Sequence, residues 1–408
     1  MRTNPIVFIA AMCLAHLLTM LGFSTFPTLL PQFTALWGLS GVEAGAINSA
    51  LFLGYTVSVP VLVSLTDRVD ARAIYLVCAA LGAAGHLGFA FLADGALSAG
   101  GFTALYGVAL AGTYMPGLRI LGEHLPAEMM SRATGFYTAS FGLGAGGSFI
   151  LSDHVAAMAG WSAMYMLAGG FAVLAMIVVV GAARPVEPHV REGAWLSLLD
   201  PRPVLANRSV MAYSLCYAVH NYELFTVRSW LVAFLAMSAA QTGANTGGIT
   251  PAIVAASMTF IGVLASISGN EVSIRTGRRR AISWAMSVSA LVALGVAWSG
   301  GVSYWLCGVL AMVHGITIML DSSSLTAGAF ASARPDQRGI TMAVHSTLGF
   351  GGAMLGPLIF GLLVDAGGEA SGTSWSIAYG HMALVLLVGP IIMAWLKPQG
   401  APGDRKQL

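Results

Sequence analysis

The sequence predicts an all-α membrane protein: twelve transmembrane helices in two pseudo-symmetric six-helix bundles, both termini cytoplasmic. Composition, recurring apolar segments and the placement of basic residues predict it. Of 408 residues, 57% are hydrophobic and 9% charged, with a mean hydropathy of +0.78. Soluble domains carry about 25% charged residues, so an ordinary cytosolic enzyme is excluded. A net charge of +2 provides no basic face for nucleic acid. Twelve spans of roughly 20 apolar residues need about 240, close to the number of hydrophobic residues in the chain.

Apolar segments recur at about 6–30, 43–63, 73–93, 102–118, 133–153, 162–182, 209–236, 250–272, 281–299, 304–325, 341–364 and 376–396. The first follows Met1-Arg2-Thr3-Asn4-Pro5 and is too long for the apolar core of a cleavable leader, so it reads as a helix. Segments two and three flank a charged turn at 67–72. The fourth ends at Arg119 and Glu123, and the fifth follows Arg132 and is rich in glycine. After the sixth, the stretch from Ala183 to Arg208 holds Pro185, Pro188, Pro201 and Pro203 among mixed charges, the mark of a cytoplasmic linker. The expected organisation is therefore a bundle over 1–182, a linker over 183–208, a bundle over 209–396 and a cytoplasmic tail over 397–408. In the second half, segment seven carries ionisable residues, and segment eight runs into a basic turn at 275–280. Segment ten holds His314 and Asp321, segment eleven is glycine-rich behind Arg338, and segment twelve leads to Lys397.

With the amino terminus inside, 18 of the 19 basic residues fall in cytoplasmic segments and the outer loops hold none. Arg228, within segment seven, is the exception. The halves echo one another. Asn4 precedes Cys13 and His16, as Asn207 precedes Cys216 and His220. Arg132 precedes Gly142 and Gly146, as Arg338 precedes Gly352, Gly356 and Pro357. An internal repeat of about 205 residues marks a transporter with its site at the repeat interface. Cys13, Cys78, Cys216 and Cys307 all lie in apolar runs, so no disulfide framework is expected.

The turn after segment two reads Val63-Ser64-Leu65-Thr66-Asp67-Arg68-Val69-Asp70-Ala71-Arg72, and its counterpart reads Asn270-Glu271-Val272-Ser273-Ile274-Arg275-Thr276-Gly277-Arg278-Arg279. On these two turns and the 6+6 plan, nearly the whole chain resembles a major facilitator superfamily (MFS) transporter. Asp67, Arg68 and Arg72 match the family signature, while its two glycines are absent. The second copy keeps Gly277 and the basic end but has Ile274 at the acidic position. The resemblance implies alternating access, a cavity lined by helices 1, 4, 7 and 10, and charge clusters that stabilise one access state. The expected cytoplasmic gate comprises Asp67, Arg68, Arg72, Arg119, Glu123, Arg132, Arg275 and Arg278. No subfamily follows. Segments 2 and 8 lack the arginines of nitrate porters, segment 1 lacks the peptide-porter motif, and the glycine-proline pair of drug antiporters stands in segment 11 instead of segment 5.

Ionisable residues inside a membrane are costly and are functional candidates by default. Tyr213, Tyr217, His220 and Leu224 share one helical face. At about 1.5 Å per residue, His220 lies roughly 17 Å and Glu223 roughly 21 Å beyond Ser209, near mid-membrane. Glu223 and His220 are the expected proton site, and Arg228 an anion or counter-charge site. His314 and Asp321 share a face, with Asp321 either meeting an arginine or capping a helix end. His16 is expected in the cavity wall. Met12, His16, Met20 and Cys13 leave open a Cu(I) or metal-complex importer. His86, His345 and His381 read as packing residues. Gly142, Gly146, Gly352, Gly356 and Pro357 read as close helix packing.

No P-loop, HExxH or GxSxG motif is present. The expected function is thus a non-enzymatic, proton-coupled secondary transporter of a small solute, with an organic anion favoured by Arg228. It needs no cofactor or metal, and its partners are the small-molecule substrate, protons and the lipid bilayer. The chain is expected to work as a monomer in a bacterial-type inner membrane. A drug or metabolite antiporter and a transporter-like sensor are the alternatives.

Overall fold

The computed structural model describes residues 4–187, 200–334, 337–368 and 372–399. Pro188 and Arg191 of the expected linker, and Arg405 and Lys406 of the tail, lie outside them. Among the described residues the chain is helical and without strands. Eleven helical stretches are long and apolar enough to cross a membrane. Each coincides with one of the expected segments. The fifth segment falls in the 33-residue helix Ala127–Ala159, where glycine and serine dilute the hydropathy.

Helix starts follow from local chemistry. Pro5 opens Pro5–Met20 behind Asn4, whose Oδ1 accepts from the Ile6 N–H at 2.9 Å. Asn207 repeats the device at Arg208–Thr242, accepting from the Ser209 and Val210 N–H groups at 3.1 and 3.2 Å. The echo between the halves therefore extends to the capping bond.

Two segments expected to be continuous are interrupted. Pro5–Met20 and Thr25–Trp37 are separated by a turn at 21–24. There the Ser24 hydroxyl donates to the Ala145 carbonyl at 2.9 Å, and the Ser24 N–H donates to Ser148 Oγ at 3.0 Å. The second bond takes the Ser24 N–H out of the helical ladder. Tyr304–Met319 and Ser322–Ser332 are separated at Leu320 and Asp321. The Leu320 carbonyl there lies so close to Gly269 that any Cβ at 269 would overlap it.

The chain forms two compact units, Met1–Leu39 with Ala50–Glu192, and Ser40–Ser49 with Gly193–Leu408. In the first, Met12, Tyr75, Ile120, Tyr137 and Val179 are buried together. In the second, Tyr213, Cys216, Ile282, Met286 and Leu325 form the corresponding core. Gly41–Leu65 begins in the second unit, where its Gly41 and Val42 N–H groups donate to the two oxygens of Asp365 at 2.6 and 2.8 Å. A carboxylate is the favourable charge at a helix amino terminus. Phe91, Trp284, Leu291, Trp298 and Trp395 are exposed, an apolar outer surface suited to lipid.

Candidate functional site

The polar centre of the second unit is built from two helices that each contribute one histidine and one acid. Arg208–Thr242 supplies His220 and Glu223, and the interrupted stretch Tyr304–Ser332 supplies His314 and Asp321. They pair reciprocally: His314 Nε2 lies 2.7 Å from Glu223 Oε1, and His220 Nδ1 lies 2.8 Å from Asp321 Oδ1. All four side chains are at most 3% exposed. Isolated charges are not tolerated at such depth, and pairing is the usual solution.

The two pairs differ in their surroundings. Glu223 Oε1 also accepts from the Ser289 hydroxyl at 2.7 Å, and Ser289 meets Thr317 Oγ1 at 3.0 Å. With the Nε2–H of His314 donating to Glu223, its Nδ1 accepts from the Tyr379 hydroxyl at 2.8 Å. This chain is satisfied at every link. At the other pair, the approach of His220 Nδ1 to Asp321 Oδ1 is close, but neither atom completes a hydrogen bond, and His220 Nε2 has no hydrogen-bond partner. The separation is that of an ion pair; the alignment is not that of a hydrogen bond.

Tyr217 stacks near-parallel on His345 at 4.2 Å between centroids and on His220 at 5.9 Å. His345 Nδ1 is 3.2 Å from Ser214 Oγ, and its Nε2 is buried without a hydrogen-bond partner. His345, expected as a packing residue, therefore sits beside the polar centre. Tyr213 is buried and its hydroxyl donates to the Gln399 carbonyl at 3.1 Å.

Arg228 is 6% exposed and stands over the Phe225 ring at 5.6 Å. Its Nε has no hydrogen-bond partner. The salt bridges among the described residues join both acids of the centre to histidines and none of them to Arg228.

In the first unit His16 is fully buried. Its Nδ1 lies 2.9 Å from Ser140 Oγ and 3.1 Å from the Tyr137 carbonyl, and its ring stacks on Tyr137 and Tyr114 at 4.3 and 5.2 Å. Met12 and Met20 are buried as well. Among the described residues, no three His, Cys, Asp or Glu side chains cluster to hold a metal ion.

The Major Facilitator Superfamily profile matches residues 12–326. The chain belongs to the major facilitator superfamily. Solved transporters share its fold. A bacterial homologue of the human lysosomal transporter Spinster, inward-facing and occupied, has a TM-score of 0.78 at 12% identity, covering 100% of both chains. The inward-facing, unoccupied form scores 0.71 at 13% identity over 96% of this chain and 95% of that one. A mutant of the nucleoside transporter NupG scores 0.72 at 15% identity over 95% and 99%. At these identities the likeness is one of fold, and the family is one of membrane transporters, not enzymes.

In this MFS protein the first signature turn forms a compact ion cluster. Arg119 bridges Glu123 at 2.8 Å and Asp67 at 3.1 Å. Arg72 donates to the Val180 carbonyl at 3.2 Å, while Asp70 caps the next helix through the Arg72 N–H at 3.0 Å. Arg68 and Arg132 are exposed. The second turn divides its roles. Arg275 pairs with Glu271 on the exposed surface at 2.7 Å. Arg278 is buried and donates to Asn270 Oδ1 at 3.0 Å and to the Ser324 carbonyl at 3.4 Å. Asn270, four residues before the position where an acid was sought, thus supplies the acceptor.

Gly142 and Gly146 are buried in Ala127–Ala159. A Cβ at Gly352 would overlap the Ala218 carbonyl and one at Gly356 would overlap Thr226 Oγ1, while the Pro357 carbonyl accepts from Trp230 Nε1 at 3.0 Å. Ser289, Thr317 and Tyr379 carry no mark in the sequence that singles them out, and His345 reads there as a packing residue. Their one available signal was a polar group inside an apolar run, which many packing residues share.

Proposed function

We propose that this MFS protein is a proton-coupled secondary transporter of a small organic anion. It works as a monomer in a bacterial-type inner membrane, with twelve spans and both termini in the cytoplasm. One observation carries the anion assignment: Arg228 is buried while both acids of the polar centre are engaged by histidines. A buried cation without a carboxylate partner costs at least about 2.5–3.5 kcal/mol in a membrane helix. A solute carboxylate would compensate that cost on binding. The planar guanidinium suits a bidentate carboxylate. Two histidine–carboxylate pairs near mid-membrane supply groups able to hold a proton during the cycle. Tyr213, Tyr217, His220, Glu223, His314 and Asp321 form the C-terminal part of this pathway, with His16 the first unit's contribution. The Arg119–Asp67–Glu123 cluster and Arg278 act at the cytoplasmic gate.

The test is uptake by proteoliposomes across an imposed pH gradient, with a panel of small carboxylates and their neutral amides. Carboxylates should accumulate and amides should not. Arg228→Lys should keep partial uptake because the charge survives, and Arg228→Gln should lose it. Wild-type uptake of any panel member by Arg228→Gln would make Arg228 a structural residue.

A further inference from the structure

The two reciprocal pairs are chemically alike, yet only one is built to exchange a proton. We propose that the exchangeable proton of this transporter resides on the His220–Asp321 pair, at the break in the tenth span, and that Glu223–His314 is a fixed tie between helices. The proposal rests on the proton-coupled reading and names the site within it.

Three observations separate the pairs. The first is saturation. Glu223 Oε1 is held by Ser289 and His314, and His314 in turn by Tyr379, all at 2.7–2.8 Å. Adding or removing a proton there breaks bonds already made. At the other pair His220 Nδ1, His220 Nε2 and Asp321 Oδ1 are buried without a completed hydrogen bond. Each such group costs about 1–3 kcal/mol while unsatisfied, so a proton that arrives there breaks no bond already made and turns the close approach into an ion pair.

The second observation is the backbone. Asp321 occupies the cap position of Ser322–Ser332, but its side chain makes no capping bond. The interruption places it at the junction of two helical ladders, where its carbonyl accepts the first bond of the second, from the Leu325 N–H at 2.9 Å, and its carboxylate caps neither. Interrupted helices near mid-membrane are where transporters build ion sites. Glu223 lies within the continuous helix Arg208–Thr242. The third is the wall of the break. Gly269 carries no side chain against the Leu320 carbonyl, and Arg278 holds the next turn through the Ser324 carbonyl at 3.4 Å. Anchored on both sides, the break positions Asp321 toward His220.

Other ionisable groups near the pair are Cys216, Tyr217 and Glu223 on Arg208–Thr242 and His345 on Arg338–Ala366. With the proton on the imidazole, His220 is an imidazolium facing the Asp321 carboxylate at 2.8 Å, and the pair is neutral in sum. Its release to water leaves a neutral imidazole facing a carboxylate, a unit of negative charge beside the break.

The full-length protein in lipid nanodiscs, without solute, provides the test. Infrared difference spectra are recorded between about pH 5.5 and pH 8.5, a window in which exposed carboxyl groups stay ionised. Carbon-13 is introduced into aspartate in one sample and into glutamate in another. A titrating carboxyl or carboxylate band should shift with labelled aspartate, stay in place with labelled glutamate, and vanish in Asp321→Asn. His220→Gln should move its titration midpoint. Labelling of the unaltered chain separates the two acids even if Asp321→Asn fails to fold. A titrating band that follows the glutamate label and is lost in Glu223→Gln overturns this assignment and leaves proton coupling standing. An aspartate band that persists in Asp321→Asn also overturns it. No titrating carboxyl or carboxylate band in the window overturns both this assignment and the coupled reading.

Discussion

Glu223 and His314 are joined at 2.7 Å across two helices of the second unit, inside a chain that runs from Tyr379 through both residues to Ser289. A residue expected to shuttle protons is also a structural tie, and its substitution therefore has a stability signature.

Glu223→Ala leaves the Ser289 hydroxyl and the His314 N–H without their acceptor. At about 1–3 kcal/mol for each buried group left unpaired, the purified protein in detergent should melt several degrees lower. Glu223→Gln keeps a carbonyl acceptor and should lose less. Equal melting temperatures for wild type and Glu223→Ala would remove the tie.

Asn270→Asp should stabilise the second basic turn. Arg278 already donates to Asn270 Oδ1 at 3.0 Å while buried. A carboxylate there makes the bond charge-assisted, roughly twice as strong as the neutral one. Thermal unfolding should shift upward for Asn270→Asp and downward for Asn270→Leu. A downward shift for both means that desolvating the new charge outweighs the bond.

Gly352 and Gly351 provide a paired test of helix approach. Alanine at 352 meets the Ala218 backbone carbonyl, which cannot rotate away, whereas alanine at 351 meets nothing within 4 Å. Gly352→Ala should destabilise by about 1–3 kcal/mol through overpacking. Gly351→Ala should be neutral or mildly stabilising, since alanine favours helix over glycine by about 0.5–1 kcal/mol. The reverse order would show that the two helices are not in contact at this register.

The orientation inferred from the basic residues is tested with an impermeant thiol reagent on a cysteine-free background. Gly193→Cys in the central linker should resist labelling from the outer face. Asn245→Cys, in the exposed loop after Arg208–Thr242, should react. The opposite pattern would invert the topology.

The sequence by itself determined the membrane character, the positions of the spans and where key helices begin. These are local properties. Twenty apolar residues need a bilayer whatever their neighbours are, and Asn4 and Asn207 cap helices through bonds two or three residues away. It also singled out His220, Glu223, His314 and Asp321, because ionisable groups in apolar runs are conspicuous. Only the tertiary structure decided who meets whom. Glu223 meets His314, Asp321 stands at a helix N-cap yet turns its carboxylate to His220 and not to an arginine, and Arg278 finds Asn270. Partners 91 and 101 residues apart, or only eight, are chosen by the rotation and register of packed helices, where a shift of one residue turns a side chain by about 100°. The interruptions at 21–24 and 320–321 belong to the same category. They depend on Ser148, Ala145 and Gly269 on neighbouring helices, and no hydropathy pattern within the interrupted segment records them.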